Sequence, residues 1–296
     1  MPAISNRYEY NKMDNNIPAM NFIDSAPFVR LNDSEFDFIV KYVSEHYGID
    51  LSQKRRLIEA RLAGELKSLG FTSYEQYISL LKSNPKSDKV DNFINKITTN
   101  YSYFNREMEH YDFLMNMIIP ALAQAKKNSI KIWSAGCSTG EEPYNIAMAI
   151  DSALGLKRSM WNVSINATDV STRALGVARK GEYPESELSG MPEAWQKSYM
   201  TKLPNGNYQV KDTIQKVVSF SQFNLMDPFP QRVYDVIFCR NVMIYFKQPT
   251  SQAIVKKFYQ STADGGYLFI GHSETINRTE NQYKYIRPSI YQKAIK

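Results

Sequence analysis

From Asn32 onward the apolar positions recur at helical spacing. In "NDSEFDFIVKYVSEHYG", Phe36, Ile39, Val40, Val43 and Tyr47 share one face, after a capping cluster and ahead of Gly48. "LSQKRRLIEARLAGELKSLG" repeats the pattern, with Ser52 as the expected cap and Gly70 as the stop. "SYEQYISLLKS" and "DKVDNFINKITTN" predict two shorter helices. Four helices without a strand signal make residues 31–100 a small helical domain. Residues 1–30 are rich in Asn, Pro and Met, lack any period, and read as a mobile tail. Residues 101–128 read as an interdomain helical segment.

Past residue 128 the rhythm changes. "SIKIWSA" predicts a buried strand, and 141–154 a helix. "WNVSINATD", "KVVSFSQFN", "YDVIFCRN" and "GGYLFIGH" predict further strands, with helices in "STRALGVARKG" and "PTSQAIVKKFYQST". "YKYIRPSIYQKA" predicts a terminal hairpin around Pro288. The alternation implies an α/β domain over 129–296, its mostly parallel sheet covered by helices on both faces. Residues 181–216 interrupt it with turn signals such as Pro204-Asn205-Gly206, and predict an inserted helix with small antiparallel strands. Ligands of such sheets sit beyond the carboxyl ends of the strands, at the switch point.

Composition narrows the chemistry. Hydrophobic residues make up 43% and charged residues 22% of the 296, as in ordinary globular proteins. No apolar run approaches the ~20 residues that span a bilayer, and the N-terminus lacks a secretory layout. Two cysteines, Cys137 and Cys239, give no disulfide framework, so a reducing cytoplasm is the expected location. His46, His110 and His272 are scattered without ligand spacing, so no metal is assigned. The net charge of +6 comes from residues 101–296; it is spread thinly and suits an acidic partner better than nucleic acid.

The most informative stretch is "SAGCSTGEEPY". Small residues let the backbone approach a ligand at a helix N-terminus. A dinucleotide loop wants G-x-G-x-x-G there, but Gly136 and Gly140 are four apart, and Glu141 and Glu142 open the helix. Carboxylates at that end satisfy the helix dipole and repel phosphate, which favours a cationic ligand such as S-adenosylmethionine. The bland alternative is that both are ordinary first-turn residues ahead of Pro143. Other strand ends add polar groups at the same rim. Asp169 is suited to ribose hydroxyls or to capping the next helix, Asn224 and Leu225 to an adenine edge and face, and Arg240, Asn241 and Tyr245 complete the edge.

Together, "TTNYSYFNRE", "WSAGCSTGEEPY", "FCRNVMIYF" and "GHSE" resemble the chemotaxis receptor glutamate methyltransferases of the CheR type, over roughly residues 30–296. The resemblance implies a helical N-terminal domain followed by a Rossmann-like S-adenosylmethionine-dependent methyltransferase domain with an inserted β-subdomain. It implies cofactor contacts at Asn100, Ser102, Arg106, Glu142, Asp169, Asn224, Leu225, Arg240 and Asn241, with Arg106 and Tyr245 nearest the methyl transfer. Ser102 stands where members often carry Thr. Cys137 is a tolerated small residue of the loop rather than a nucleophile.

The implied substrate is a glutamate side chain on the cytoplasmic helical bundle of a chemoreceptor. With a pKa of about 4.3 it is already an anionic nucleophile at neutral pH, so no general base is needed. Such bundles are acidic, and the resemblance implies docking on the second helix through Lys54, Arg55 and Arg61. Ile58, Leu62, Leu66 and Leu69 form its apolar arc; Lys54 and Arg61 lie beside the arc and Arg56 points away. Ala63 and Gly64 occupy places where relatives can carry arginine. Some members also grip a receptor C-terminal peptide through a glycine-containing loop insertion. Here "YMTKLPNGNYQV" is shorter, which argues against that tether and for direct recognition of the bundle. The rival readings are an oxidoreductase, a nucleic-acid methyltransferase hinted at by "DPFP", and a non-catalytic S-adenosylmethionine-binding scaffold of the receptor array.

Overall fold

A computed structural model describes residues 29–83, 87–277 and 281–295, so nearly all of the expected tail lies outside the described residues. Helix α1 (Asp33–Tyr47) opens on a reciprocal cap: the Glu35 amide donates to the Asn32 side chain, and the Asn32 amide donates to the Glu35 carboxylate. Gly48 ends it in the left-handed region at φ +73°. Helix α2 (Arg55–Ser68) does not use the expected Ser52 cap. The Ser52 amide donates instead to Asp50, and Lys54 flanks the helix with no side-chain capping bond. Helices α3 (Tyr74–Ser83) and α4 (Asp88–Ile97) complete the bundle. Their inward faces, with Ile39, Val43, Ile58, Leu62, Tyr77 and Phe93, form a core of their own.

A linker of α5 (Glu109–Phe113), a π-helical turn (Leu114–Ile118) and α6 (Ile119–Gln124) leads to the sheet. Strand β1 (Ser129–Ala135), helix α7 (Glu141–Leu154), strand β2 (Asn162–Asp169) and helix α8 (Thr172–Lys180) follow. The insertion contributes β3 (Glu182–Tyr183), α9 (Glu193–Tyr199), β4 (Met200–Lys202), β5 (Tyr208–Val210) and α10 (Asp212–Gln215). Its strands form a separate antiparallel sheet in the order β3-β5-β4. The chain then returns through β6 (Val218–Gln222), β7 (Tyr234–Cys239), α11 (Gln248–Ser261), β8 (Thr262–Ile270) and the hairpin of β9 (Lys284–Arg287) and β10 (Ile290–Gln292). The main sheet runs β6-β2-β1-β7-β8-β10-β9, parallel except for the hairpin at its edge.

Side-chain alternation assigns β1 to two cores at once. Ile130 and Ile132 pack with the linker and α7, whereas Trp133 and Ala135 pack on the opposite face beside Phe258 of α11. The order reverses between β1 and β7, and a crevice lies beyond the carboxyl ends of the strands around that point. Among the described residues no helix is long and apolar enough to cross a membrane.

The helical domain closes over that crevice through a few polar contacts. Asn95 of α4 is buried. Its carbonyl oxygen accepts from the Ser171 hydroxyl and the Arg173 amide, and its amide donates to Thr172, so it grips the start of α8 from both sides. The Asn224 amide donates to the carbonyl of His46 at 2.7 Å, the Asp50 amide donates to the Tyr245 carbonyl at 2.8 Å, and Ile49 bridges Phe246. Asn95→Ala strips several buried partners at one site, and we expect a loss of about 2 kcal/mol, measured by urea unfolding. A change within about 0.5 kcal/mol would show that this grip contributes little.

Candidate active site

The crevice is a cavity of about 330 Å³ between the carboxyl ends of the parallel strands and the helical domain. Asn100, Ser102, Arg106, Glu142, Asp169, Asn224, Leu225, Arg240, Asn241 and Tyr245 all line it, as do Lys54 and Arg61; Arg55 does not.

The loop after β1 shapes its floor. Gly136 sits at φ +87°, and a Cβ there would meet Val242 at 2.3 Å, so only glycine permits this approach of the two strand-end loops. The two loop acids separate. Glu142 lines the cavity, whereas Glu141 is buried outside it, accepting from the Thr139 and Ser102 hydroxyls near Glu187 of the insertion. The paired acids of the sequence therefore present one carboxylate to a ligand, because successive residues of a helix face different directions. Glu142 accepts from Ser134 at 2.7 Å and from Arg240 at 3.2 Å. Burial raises its pKa, with Arg240 opposing the rise.

Asp169 accepts from the Ser138 amide at 2.8 Å and the Ser171 amide at 2.9 Å, one on each oxygen. A carboxylate has about four acceptor directions, so acceptor capacity is left over at the cavity wall. The cap of α8 is Ser171, whose hydroxyl accepts from the Ala174 amide. Asp169 therefore braces the loop rather than capping the helix.

Arg240 is the centre of the site. Its side chain is only 2% exposed and donates to Glu107 at 3.1 Å, Glu142 at 3.2 Å and the Tyr111 hydroxyl at 2.9 Å, and also to the carbonyl of Arg106. Burial opposes its charge, but these neighbours outweigh burial and raise its pKa. Asn241 follows in the left-handed region, φ +57°, and its amide donates to Glu274. Glu274 also accepts from the Gly271 and Ile244 amides, so the acid of "GHSE" braces the "RNVMIY" loop. A Cβ at Gly271 would lie 2.8 Å from the Asn241 backbone nitrogen.

Arg106 is half-buried, donates to the Tyr101 carbonyl and lies over the Tyr103 ring. Of the expected docking cations, Arg55 pairs with Asp33 at 2.7 Å and donates to Leu31, while Arg61 donates to the carbonyls of Ile97 and Thr98 and to the Thr99 hydroxyl. Arg55 ties α2 to the start of α1 and Arg61 ties it to the chain leaving α4, which leaves Lys54 as the exposed cation of the three. Asn224 likewise uses its amide on His46, so what faces the cavity is not its full hydrogen-bonding edge.

The comparisons with known proteins agree with this geometry. Residues 34–98 match the family model described as CheR methyltransferase, all-alpha domain, and residues 100–291 match CheR methyltransferase, SAM binding domain. The chain belongs to the CheR methyltransferase family. It is 41% identical to the chemotaxis protein methyltransferase of Borreliella burgdorferi, over 90% of this chain and 96% of that one. It is 36% identical to the chemotaxis protein methyltransferase of Escherichia coli, over 88% and 91%. As a CheR-family protein it is an S-adenosylmethionine-dependent methyltransferase.

The cavity of this CheR-family chain fits that cofactor. Ser138, in the loop wall, keeps a buried hydroxyl without a protein partner, which a ligand's polar edge can satisfy. Asp169 and Glu142 retain acceptor capacity, and Leu225 supplies an apolar face. Sequence reasoning missed Ser138, Glu107, Tyr111 and Glu274. Glu107 and Glu274 sit inside "NRE" and "GHSE", yet their roles are contacts across more than a hundred or about thirty residues.

Burial sets a pH signature. Desolvation raises the Glu141 pKa from 4.5 to about 7, so the folded state holds its proton more tightly than the unfolded chain. Its contribution is full below pH 4.5 and is lost as pH rises through 7. Relative to wild type, Glu141→Gln should gain stability across that window, by up to about 3 kcal/mol, followed by urea unfolding at several pH values. A difference independent of pH would refute this.

Proposed function

We propose that this protein methylates glutamate side chains on the cytoplasmic helices of chemoreceptors, forming methyl esters, and that it works in the cytoplasm. The observation that carries this reading is the excess of cations on one wall of the cavity. Glu142, at the start of α7, and Asp169, at the end of β2, lie on the sheet side around the buried Arg240, whereas Lys54, Arg61 and Arg106 come from the helical domain and the linker, beside one acid there, Asp50. An anionic acceptor is attracted to that wall.

When bound, S-adenosylmethionine supplies a methyl group on a cationic sulfur. The glutamate carboxylate attacks unaided, since it is ionised at neutral pH. The chain's own task is alignment. Arg106, held over Tyr103 and by the Tyr101 carbonyl, pairs with the carboxylate and orients it without a buried, fully neutralising contact. Tyr245, which lines the cavity with Arg61 and Arg106, offers a hydroxyl there. Glu142 and Asp169 hold the cofactor's side, together with Asn100, Ser102, Asn224, Leu225, Arg240 and Asn241.

Lys54 at the exposed start of α2 steers the acidic bundle. Arg55 and Arg61 support it by fixing the helix against Asp33 and the chain leaving α4. The short loop between β4 and β5 favours recognition of the bundle itself over a tethered peptide.

Incubation with methyl-labelled S-adenosylmethionine and receptor cytoplasmic fragments should place base-labile label on glutamate; label on nucleic acid alone would overturn the assignment. Arg106→Ala should lower kcat about 100-fold, with cofactor affinity followed separately by calorimetry because Arg106 is also an expected cofactor contact. Wild-type turnover in that variant would remove Arg106 from the reaction. Lys54→Glu should lower kcat/KM roughly tenfold at low salt, with the deficit shrinking as salt is added. A deficit unaffected by salt would exclude steering.

A further inference from the structure

Among the described residues, the buried side-chain polar atoms without a hydrogen-bond partner belong to Tyr77, Ser138 and His110. Ser138 faces the cavity. His110 does not, and both of its ring nitrogens are unpaired although the residue is only 1% exposed. Its Nδ1 stands 3.5 Å from a Glu107 carboxylate oxygen, and its ring centroid lies 5.3 Å from that of His272. One donor atom from each of Glu107, His110 and His272 can be chosen so that all lie within 4.8 Å of one another. Two histidines distant in sequence thus meet in space: Glu107 and His110 are three apart at the start of α5, and His272 follows β8.

We propose that Glu107, His110 and His272 form a binding site for a borderline divalent cation of the zinc class. Two imidazoles and one carboxylate are a donor set that such ions take, with a further position open to water. Donors around a tetrahedral ion with 2.0 Å bonds lie about 3.3 Å apart, so the side chains must close inward by roughly an ångström. His272, 45% exposed, is free to make most of that adjustment. Glu109, 3.8 Å from His272 Nε2, stands ready as a neighbouring carboxylate. A buried histidine with both nitrogens unsatisfied is costly on its own, and a metal bond relieves one of them.

Arg240 and Arg287 also face His110 and oppose a cation there, which sets the expected affinity in the micromolar rather than the nanomolar range. Glu107 holds Arg240 through the carboxylate oxygen that approaches His110, so an ion here would be felt by the charge network of the cavity.

The test uses the purified full chain, stripped with chelator and then titrated with Zn²⁺ by calorimetry and with Co²⁺ by absorption spectroscopy. Wild type should bind one ion per chain, and Co²⁺ should give d–d bands without thiolate charge transfer. His272→Ala should fold with an unchanged metal-free Tm, lose at least tenfold in affinity, and lose the Tm increase that Zn²⁺ gives wild type. His46→Ala should bind as wild type does. Absence of binding to wild type, a loss below tenfold in His272→Ala, or thiolate bands with Co²⁺ would each overturn the proposal.

Discussion

A single buried guanidinium holds this molecule's working parts in register. Arg240 leaves the end of β7 and reaches Glu107 and Tyr111 of the linker and Glu142 at the start of α7. A charge taken out of water must be paired and hydrogen-bonded on nearly every donor, and the planar fork of arginine allows this where lysine would not. The linker must therefore cross the sheet where it does. Its backbone bears the consequence, because Asn105 and Glu107 both occupy the left-handed region, which few side chains adopt without support.

Much of the architecture was legible because its causes are local. β1 and α7 fall where the pattern predicts them, since the short buried run of "SIKIWSA" and the helical spacing after Gly140 each report burial directly. The insertion announced itself by its turn residues. What was not legible depended on competition between distant groups. Ser52 has no capping role because α2 begins only at Arg55, with Lys54 at the cap position. Glu141 turned away from the ligand because the next helical residue already faces it. Arg61, which reads as a surface cation, is drawn to carbonyls at the end of α4, and no pattern within α2 could reveal those acceptors. The pairing of His110 with His272 is of the same kind, a meeting made by topology alone.

Under the proposed function, the cavity's charge pattern keeps the cofactor and its anionic acceptor on different walls. Asp169, at the end of β2, is held by backbone amides, and Glu142, at the start of α7, by Ser134 and Arg240, so each keeps acceptor capacity toward the cavity. Cations on the opposite wall are half-buried or exposed and remain open to solvent and to a large partner. The two walls belong to different domains, so the reaction geometry is set by domain docking as much as by either domain's own fold. Polar groups such as Asn95 make that docking specific in direction, where an apolar seam would allow sliding.

One short contact carries this further. The backbone of Asp50 is tied to the carbonyl of Tyr245, and Ile49 bridges Phe246, so the turn between α1 and α2 and the loop after β7 behave as a single piece of chain. Any displacement of that turn would therefore act directly on the backbone of Tyr245, whose ring lines the cavity.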